Sequence, residues 1–331
     1  MYKQHLEYLA CPICQADFIL KAKKEDDEFV EEGVLYCDRC DKEYLIINGI
    51  PRFVPQSNYA DSFGFEWNMH KKTQYDSVSG LNLSEKRFFE ETRWKKEDRD
   101  IVILEAGCGG GRFTPHALDI IGENGLVISF DYSNSVDVSL LSNPISKNLL
   151  LMQADIMNIP LKRERIDRCF CFGVLQFTPD TKKSLISLVN ILKKEGELVC
   201  DHFPITKNTW LNTRYWVRPI TKRIPHKMLY NFGKRYVDFM WPIFKLNRKI
   251  FSSEVANRIN WRLLIPDYSS TGLDEKALRE WAYLDFFNML SPVYDRPIRK
   301  EVFFEYLEKS GLKNVEVNMG YNGWEGRGRK E

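Results

Sequence analysis

The chain has 331 residues, 44% of them apolar and 28% charged, which is the balance of a globular protein long enough for one large domain with appendages. No apolar run approaches the ~18 residues of a membrane span. The first residues, Met1-Tyr-Lys-Gln-His-Leu-Glu, lack the apolar stretch of a secretory leader, so the expectation is a cytoplasmic protein whose eight cysteines stay reduced.

The first pattern along the chain is a pair of C-x2-C knuckles, Cys11-Pro-Ile-Cys14 and Cys37-Asp-Arg-Cys40, separated by 22 residues. Each knuckle offers two thiolates from one tight turn, and two such turns complete a tetrahedron around a structural Zn²⁺. A pair of redox C-x-x-C motifs is the alternative, but no thioredoxin-like βαβ pattern surrounds them. Residues 1–56 therefore read as a zinc ribbon. Residues 57–98 are too aromatic for a flexible linker. Within them Ser84 is placed to cap a helix over Glu85 to Arg93. Phe63, Phe65 and Trp67 either dock the ribbon onto the core or, with Trp67, Gln74 and Tyr75, fold over a ligand.

Ile101-Val-Ile-Leu-Glu-Ala-Gly-Cys-Gly-Gly-Gly-Arg112 is an apolar strand ending in an acid and a glycine turn, followed by a potential helix over Phe113 to Ile121. That is how a doubly wound α/β domain holds a nucleotide-like ligand. A dinucleotide site needs G-x-G-x-x-G, and here Arg112 stands where the third glycine would fall. Gly125 to Asp131 reads as a second strand closing on an acid, 20 residues beyond Gly111. A carboxylate in that place accepts hydrogen bonds from ribose hydroxyls. Leu149 to Pro160 and Ile166 to Asp180 give a third and fourth strand. Asp180 is placed to cap a helix from Thr181 to Leu192.

Glu105-x-Gly107-x-Gly109-x-Gly111, taken with these later segments, resembles the class I S-adenosylmethionine-dependent methyltransferases. The resemblance implies an α/β fold with a Rossmann-like seven-stranded sheet, helices on both faces, and S-adenosyl-L-methionine as cofactor. Its cofactor-binding residues would be Glu105, Gly107, Gly109, Gly111, Asp131, Tyr132, Asp155, Ile156, Gly173 and Gln176. Asp155 would read the adenine amino group and Ile156 would pack on the ring. The first 55 residues, with Tyr44-Leu-Ile-Ile-Asn-Gly-Ile-Pro-Arg-Phe-Val-Pro55 after the knuckles, resemble the small zinc-ribbon protein that activates several eukaryotic methyltransferases, and its short bacterial relatives. The metal ligands implied are Cys11, Cys14, Cys37 and Cys40.

A fifth strand, Glu197 to Cys200, closes the cofactor half at 99–206. From Lys207 to Arg262 there are 13 Lys/Arg against 2 Asp/Glu, a net of +11 in a chain of +2 overall, interleaved with eleven aromatic residues, Trp210 among them. Four readings of the insertion, residues 207–290, stay open. They are a nucleic-acid groove, a helix pair on an anionic membrane through 207–262, a lid over an anionic small substrate, and a helical insertion with a solvated basic face. Residues 291–331 resume the core, with a helix over Arg299 to Ser310 and a closing hairpin, Val315 to Met319 and Trp324 to Arg329, turned at Tyr321-Asn-Gly-Trp.

A sulfonium methyl is already activated, so transfer asks for orientation, and for a base where the acceptor is a hydroxyl or amine. His202 ends a strand at the catalytic edge and is the first candidate base, with Asp201 beside it. Tyr132, Gln176 and the Tyr294-Asp295 pair rank below them, and His116 reads as structural. The loop after the fourth strand lacks the Asn-Pro-Pro-Tyr pattern of amino-group enzymes. No cysteine is set as the nucleophile of an RNA cytosine enzyme. The whole chain resembles bacterial methyltransferases associated with surface-polysaccharide and secondary biosynthesis. The expectation is O-methylation of a small-molecule or carbohydrate acceptor. The alternatives are an RNA or protein methyltransferase using the basic insertion, and a non-catalytic scaffold.

Overall fold

The computed structural model describes residues 1–55, 57–97 and 99–331, and of Trp210 the backbone only. The expected domain limits at Gln56 and Asp98 therefore lie outside the described residues. The chain divides into two compact units, Met1–Asn58 with Arg87–Pro204 and Tyr294–Glu331, and Tyr59–Lys86 with Ile205–Val293. The segment before the first core strand is thus shared. Its first part belongs with the insertion, and from Arg87 onward it belongs with the core.

In chain order the elements are β1 (Ile19–Asp26), β2 (Phe29–Cys37), β3 (Lys42–Ile47), β4 (Ile50–Pro51), α1 (Asp61–Met69), α2 (Asp76–Ser79) and α3 (Leu83–Thr92). The core continues with β5 (Val102–Ala106), α4 (Thr114–Leu118), β6 (Leu126–Asp131), α5 (Val136–Ser142), β7 (Leu149–Gln153), β8 (Ile166–Cys171), α6 (Thr181–Ile191) and β9 (Leu192–His202). Then come α7 (Arg214–Thr221), α8 (His226–Ile250), α9 (Ser253–Arg262), α10 (Glu275–Leu290), α11 (Lys300–Lys309), β10 (Leu312–Gly320) and β11 (Gly323–Lys330).

The seven-stranded sheet runs β10-β11-β9-β8-β5-β6-β7. The strands β5 to β9 are parallel to one another, and β10 and β11 are antiparallel. The central strands are continuous apolar runs because both faces are covered. Alternation sends Leu104, Ile128 and Leu150 to one apolar cluster and Ile103, Val127 and Leu151 to the other. Asp180 caps α6 as expected, its carboxylate accepting the Lys183 amide at 3.0 Å.

The β1–β4 sheet is formed by the segment read as a ribbon, and its buried residues are continuous with those of the larger core. Its Leu9, Phe18, Leu35, Ile46 and Phe53 share one buried cluster with Leu150, Met152, Ala154, Ile156 and Leu161. The Phe53 amide donates to the Gln153 carbonyl at 2.8 Å, and Arg52 bridges Gln153 in parallel register. Nearer the N-terminus, the Ala10 amide donates to Pro160 and the Lys162 amide to Tyr8. The ribbon thereby occupies the exposed edge that β7 would otherwise present. Arg52 also holds the Asp137 carboxylate with both terminal nitrogens, Nη1 at 3.2 Å and Nη2 at 2.5 Å.

The second unit is helical. Its core joins Tyr230, Val237, Trp241 and Phe244 of α8 to Phe286 and Phe287 of α10. Phe65 packs on Tyr230 and Phe287, so this aromatic serves the helical unit and not the docking of the ribbon. Gln74 and Tyr75 are buried. The cap of α3 is Asp76, whose two oxygens accept the Ser84 and Glu85 amides at 2.8 Å, while the Ser84 hydroxyl donates to the Gln74 carbonyl. A carboxylate outcompetes the expected serine because the bond to a charged acceptor is stronger. Not every basic residue faces solvent. Arg218 is buried and donates to the Met289 and Pro292 carbonyls, satisfying groups at the end of α10.

Candidate active site

The parallel strands deliver their carboxyl ends to one edge, and the loops there carry most of the candidate cofactor residues. The turn after β5 is pinned by two amides, Gly107 and Cys108, both donating to the Phe130 carbonyl at 2.8 and 2.9 Å. Gly107 has φ of +81° and a side-chain carbon there would lie 2.3 Å from Val174. Gly111, also at φ +81°, leaves no room either, since the same carbon would fall 2.1 Å from the Ser139 hydroxyl. Glycine is required at both by conformation and by close packing on neighbouring loops.

Glu105 lies beneath this turn. Its Oε2 accepts from the Thr114 hydroxyl at 2.5 Å and the Ser129 hydroxyl at 2.7 Å. Oε1 is buried and has no hydrogen-bond partner among the described residues. Burial pushes the carboxyl up to about 7, against the two hydroxyl bonds. Asp131 closes β6. Its Oδ2 accepts the Gly109 amide at 2.9 Å, and its Oδ1 accepts both the Ser133 amide and hydroxyl. The Tyr132 carbonyl takes bonds from Asn58 and Gln153, each at 3.0 Å. Asp155 is half-buried, with the Met157 amide at 2.8 Å and the Asn158 side chain at 3.0 Å, and Ile156 beside it is buried.

Gly173 and Gln176 come directly after β8. The Gly173 amide donates to Asp201 Oδ1 at 2.6 Å. Gln176 is fully buried, and neither atom of its amide has a partner among the described residues. A buried carboxylate oxygen near the end of β5 and a buried amide in the turn after β8, both unpaired among the described residues, fit a polar ligand that completes them. They lie at the same sheet edge as the glycine turn and the strand-end acids Asp131 and Asp155. The backbone amide of Arg296 donates to the Gln176 carbonyl, which brings the Tyr294-Asp295 pair back to this edge.

The two candidate bases behave differently from the expectation. His202 is buried on the opposite sheet face, where its ring packs on Phe303 of α11. Its Nε2 lies 3.2 Å from the Thr181 hydroxyl and its Nδ1 3.2 Å from the Phe203 carbonyl, and burial holds it neutral, down at about 4. One residue earlier, the alternation of β9 turns Asp201 to the other face. Its Oδ2 pairs with Arg87 Nη2 at 2.6 Å. Burial pushes Asp201 upward, and the Arg87 guanidinium and the Gly173 amide oppose that. Both side chains are thus committed to partners within the fold, and this arrangement argues against a proton-accepting role for either.

Three residues of this edge were not anticipated. Arg87 also donates to Glu91 Oε1 at 2.7 Å, and its guanidinium stands over Phe113 and Phe172. Burial pushes Glu91 to about 7. Asn322, in the β10–β11 turn, hydrogen-bonds Asp201. The one sequence signal for the first two is the i,i+4 Arg–Glu spacing in α3. Asn322 carried none beyond a turn. His116, read as structural, packs its ring on Phe88.

At the ribbon end, the four sulfurs of Cys11, Cys14, Cys37 and Cys40 all lie within 4.8 Å of one another, and all eight cysteines are free thiols. Tetrahedral zinc with Zn–S bonds of about 2.3 Å needs sulfurs roughly 3.8 Å apart. The Cys14–Cys37 separation of 3.5 Å is of that size.

Residues 104–200 match the family model described as a methyltransferase domain. The demethylmenaquinone methyltransferase of Lactococcus lactis is 30% identical over 134 residues, 39% of this chain and 53% of that protein. That of Staphylococcus saprophyticus is 27% identical over 192 residues, 54% of this chain and 75% of that protein. The chain thus spans about half the length of the first of these relatives and three quarters of the second. Among solved structures, a chain from the complex of the Haloferax volcanii Trm112 methyltransferase activator with a methyltransferase is similar at 12% identity and a TM-score of 0.46, covering 79% of this chain and 80% of that one. A Methanococcus maripaludis S-adenosyl-L-methionine-dependent methyltransferase has a TM-score of 0.43 at 15% identity, covering 83% of this chain and 95% of that one. The span from β5 to β9, with its glycine turn and strand-end acids, thus matches a methyltransferase domain and forms the parallel part of a seven-stranded Rossmann-like α/β sheet.

Proposed function

We propose that the chain methylates a small-molecule acceptor, and that the acceptor is an electron-rich aromatic ring of the hydroquinone kind. The cofactor, when bound, supplies an electrophilic sulfonium methyl. Asp131 and Asp155 would hold its ribose and adenine ends, and Glu105, the glycine turn and Gln176 its amino-acid end. The Arg87–Asp201 pair keeps the Gly173 loop in place and so fixes the wall on which an acceptor is oriented.

The observation that carries the choice of acceptor is the commitment of Asp201 and His202 to partners within the fold. A sugar hydroxyl is a poor nucleophile until a base takes its proton. A hydroquinone ring carbon is made nucleophilic by its own ring oxygens, and the ring proton it gives up after taking the methyl leaves to solvent in a separate step, so the transfer itself needs no side-chain base; the relatives that match over this span are named for methylating demethylmenaquinone. The carbohydrate O-methylation expected from sequence is accordingly the second choice. We further infer a structural Zn²⁺ held by Cys11, Cys14, Cys37 and Cys40. With all four positions filled by thiolates, that site keeps no open position for chemistry.

The test is a labelled-methyl assay with purified protein and S-adenosylmethionine against reduced naphthoquinones, a panel of sugars, and RNA. Methyl transfer to ring carbon of the reduced quinone is the expected result. Label confined to sugars or to RNA would overturn the choice of acceptor, while failure to bind S-adenosylmethionine would overturn the methyltransferase reading itself.

A further inference from the structure

The second unit carries one feature that methyl transfer does not use. The long helix α8, about 37 Å from end to end, has two apolar faces. One packs on α10 in the core of the unit. The other is exposed and consists of Met228, Phe232, Phe239, Ile243, Leu246 and Ile250. Their spacings of four, seven, four, three and four residues set them on a single stripe along the whole helix. The stripe is well out of the fold, with Phe232 at 58%, Phe239 at 79% and Ile250 at 61% exposure. A stripe of six large exposed apolar side chains is unusual for a surface helix.

Its charges say what covers it. Arg235 lies in the register of the stripe itself, three residues after Phe232 and four before Phe239, and Lys249 comes three after Leu246. Lys227 and Lys245 are also exposed on α8, which carries one acidic residue, Asp238. Residues 207–262 hold a net +11, so the rest of the chain is negative.

We propose that α8 docks on an anionic lipid surface, its apolar stripe entering the headgroup region and Lys227, Arg235 and Lys249 meeting the lipid phosphates. No helix among the described residues is long and apolar enough to cross a membrane, which leaves α8 to lie in the plane of the interface. A second copy of the chain would bring like charges together at Arg235 and Lys249. Single-stranded RNA stacks its bases on aromatic rings, whereas four of the six stripe residues are aliphatic.

The experiment uses the full chain in flotation with vesicles of phosphatidylcholine, with and without a third of phosphatidylglycerol, at low and high salt. Binding to the anionic vesicles, weakened by salt, is expected. Phe239→Ser with Ile243→Ser should lower the affinity by roughly tenfold or more, as should Arg235→Glu with Lys249→Glu. These side chains are exposed, so thermal unfolding should be unchanged. Phe239→Trp adds a direct readout, with fluorescence shifting to the blue and quenched by brominated lipid on vesicle binding. Absence of flotation, flotation indifferent to both double variants, or fluorescence of the Phe239→Trp variant unmoved by vesicles would overturn the proposal. So would a stripe-dependent dimer or stripe-dependent RNA retention in place of vesicle binding.

Discussion

The Asp131 carboxylate accepts the Gly109 amide at 2.9 Å, so the acid that ends β6 also shapes the turn that ends β5. Two strand ends are joined by one charge-assisted bond. Replacing Asp131 with Ala leaves the Gly109 amide and the Ser133 donors to find other partners, and removes the expected ribose acceptor. A loss of about 2–3 kcal/mol corresponds to S-adenosylmethionine binding weaker by one to two orders of magnitude. Calorimetric titration of folded Asp131→Ala checks this, and an affinity equal to wild type would refute the assigned role.

Arg87 and Asp201 are 114 residues apart in sequence and form a pair at 2.6 Å, with Asp201 buried and Arg87 largely so. Removing one partner strands a charge. Asp201→Ala or Arg87→Met should each cost on the order of 3 kcal/mol in chemical denaturation. The double variant should cost less than the sum of the two, because the stranded charge is gone. Additive losses would show that the pair does not act as a unit.

These two relationships mark how far the sequence could be read. The run Ile101 to Leu104 was legible as a buried parallel strand because strands covered on both faces carry no alternation. The knuckles were legible because thiolate pairs at that spacing have few other uses. The Arg87–Asp201 pair left no local trace, since its partners come from different elements and only the folded sheet edge joins them. The same holds for Asn322 and for the docking of Arg52 along β7. The reading of His202 as a candidate base turns on a different point. Its place at a strand end was read correctly, but strand alternation gives the catalytic face to Asp201 and the α6–α11 face to its neighbour, and the register could not be set without the sheet.

His202 is buried and held neutral, down at about 4, so its contribution to stability depends on pH. Between about 6.5 and about 4 the unfolded chain binds a proton at this side chain and the folded chain does not. Stability from this group is therefore complete above the unfolded value and lost as pH falls through that window, by on the order of 3 kcal/mol. His202→Gln should flatten the acid side of the stability profile. In the methyl-transfer assay it should leave the pH dependence of kcat unchanged. A kcat that collapses in His202→Gln, with the acid limb of the pH profile lost, would restore the base role.

The sulfurs of Cys11, Cys14, Cys37 and Cys40 cluster at one end of a ribbon whose apolar residues are continuous with those beneath β7. Metal binding at such a site contributes directly to folding, with structural zinc sites typically worth on the order of 10 kcal/mol. Purified protein should therefore contain about one zinc per chain. Stripping it with a strong chelator should lower the melting temperature well beyond the loss of a detached module. The reason lies in Phe53, Arg52 and Ala10, which give backbone or side-chain bonds to Gln153, Asp137 and Pro160 around the strand that leads to Asp155. When the ribbon loosens, the edge of β7 and the cluster containing Leu150 and Ile156 become exposed to water. Cofactor affinity should fall in parallel, and Cys37→Ser should reproduce both effects without chelator. A zinc-free chain that melts and binds S-adenosylmethionine like the wild type would mean that the ribbon is held by its apolar core alone.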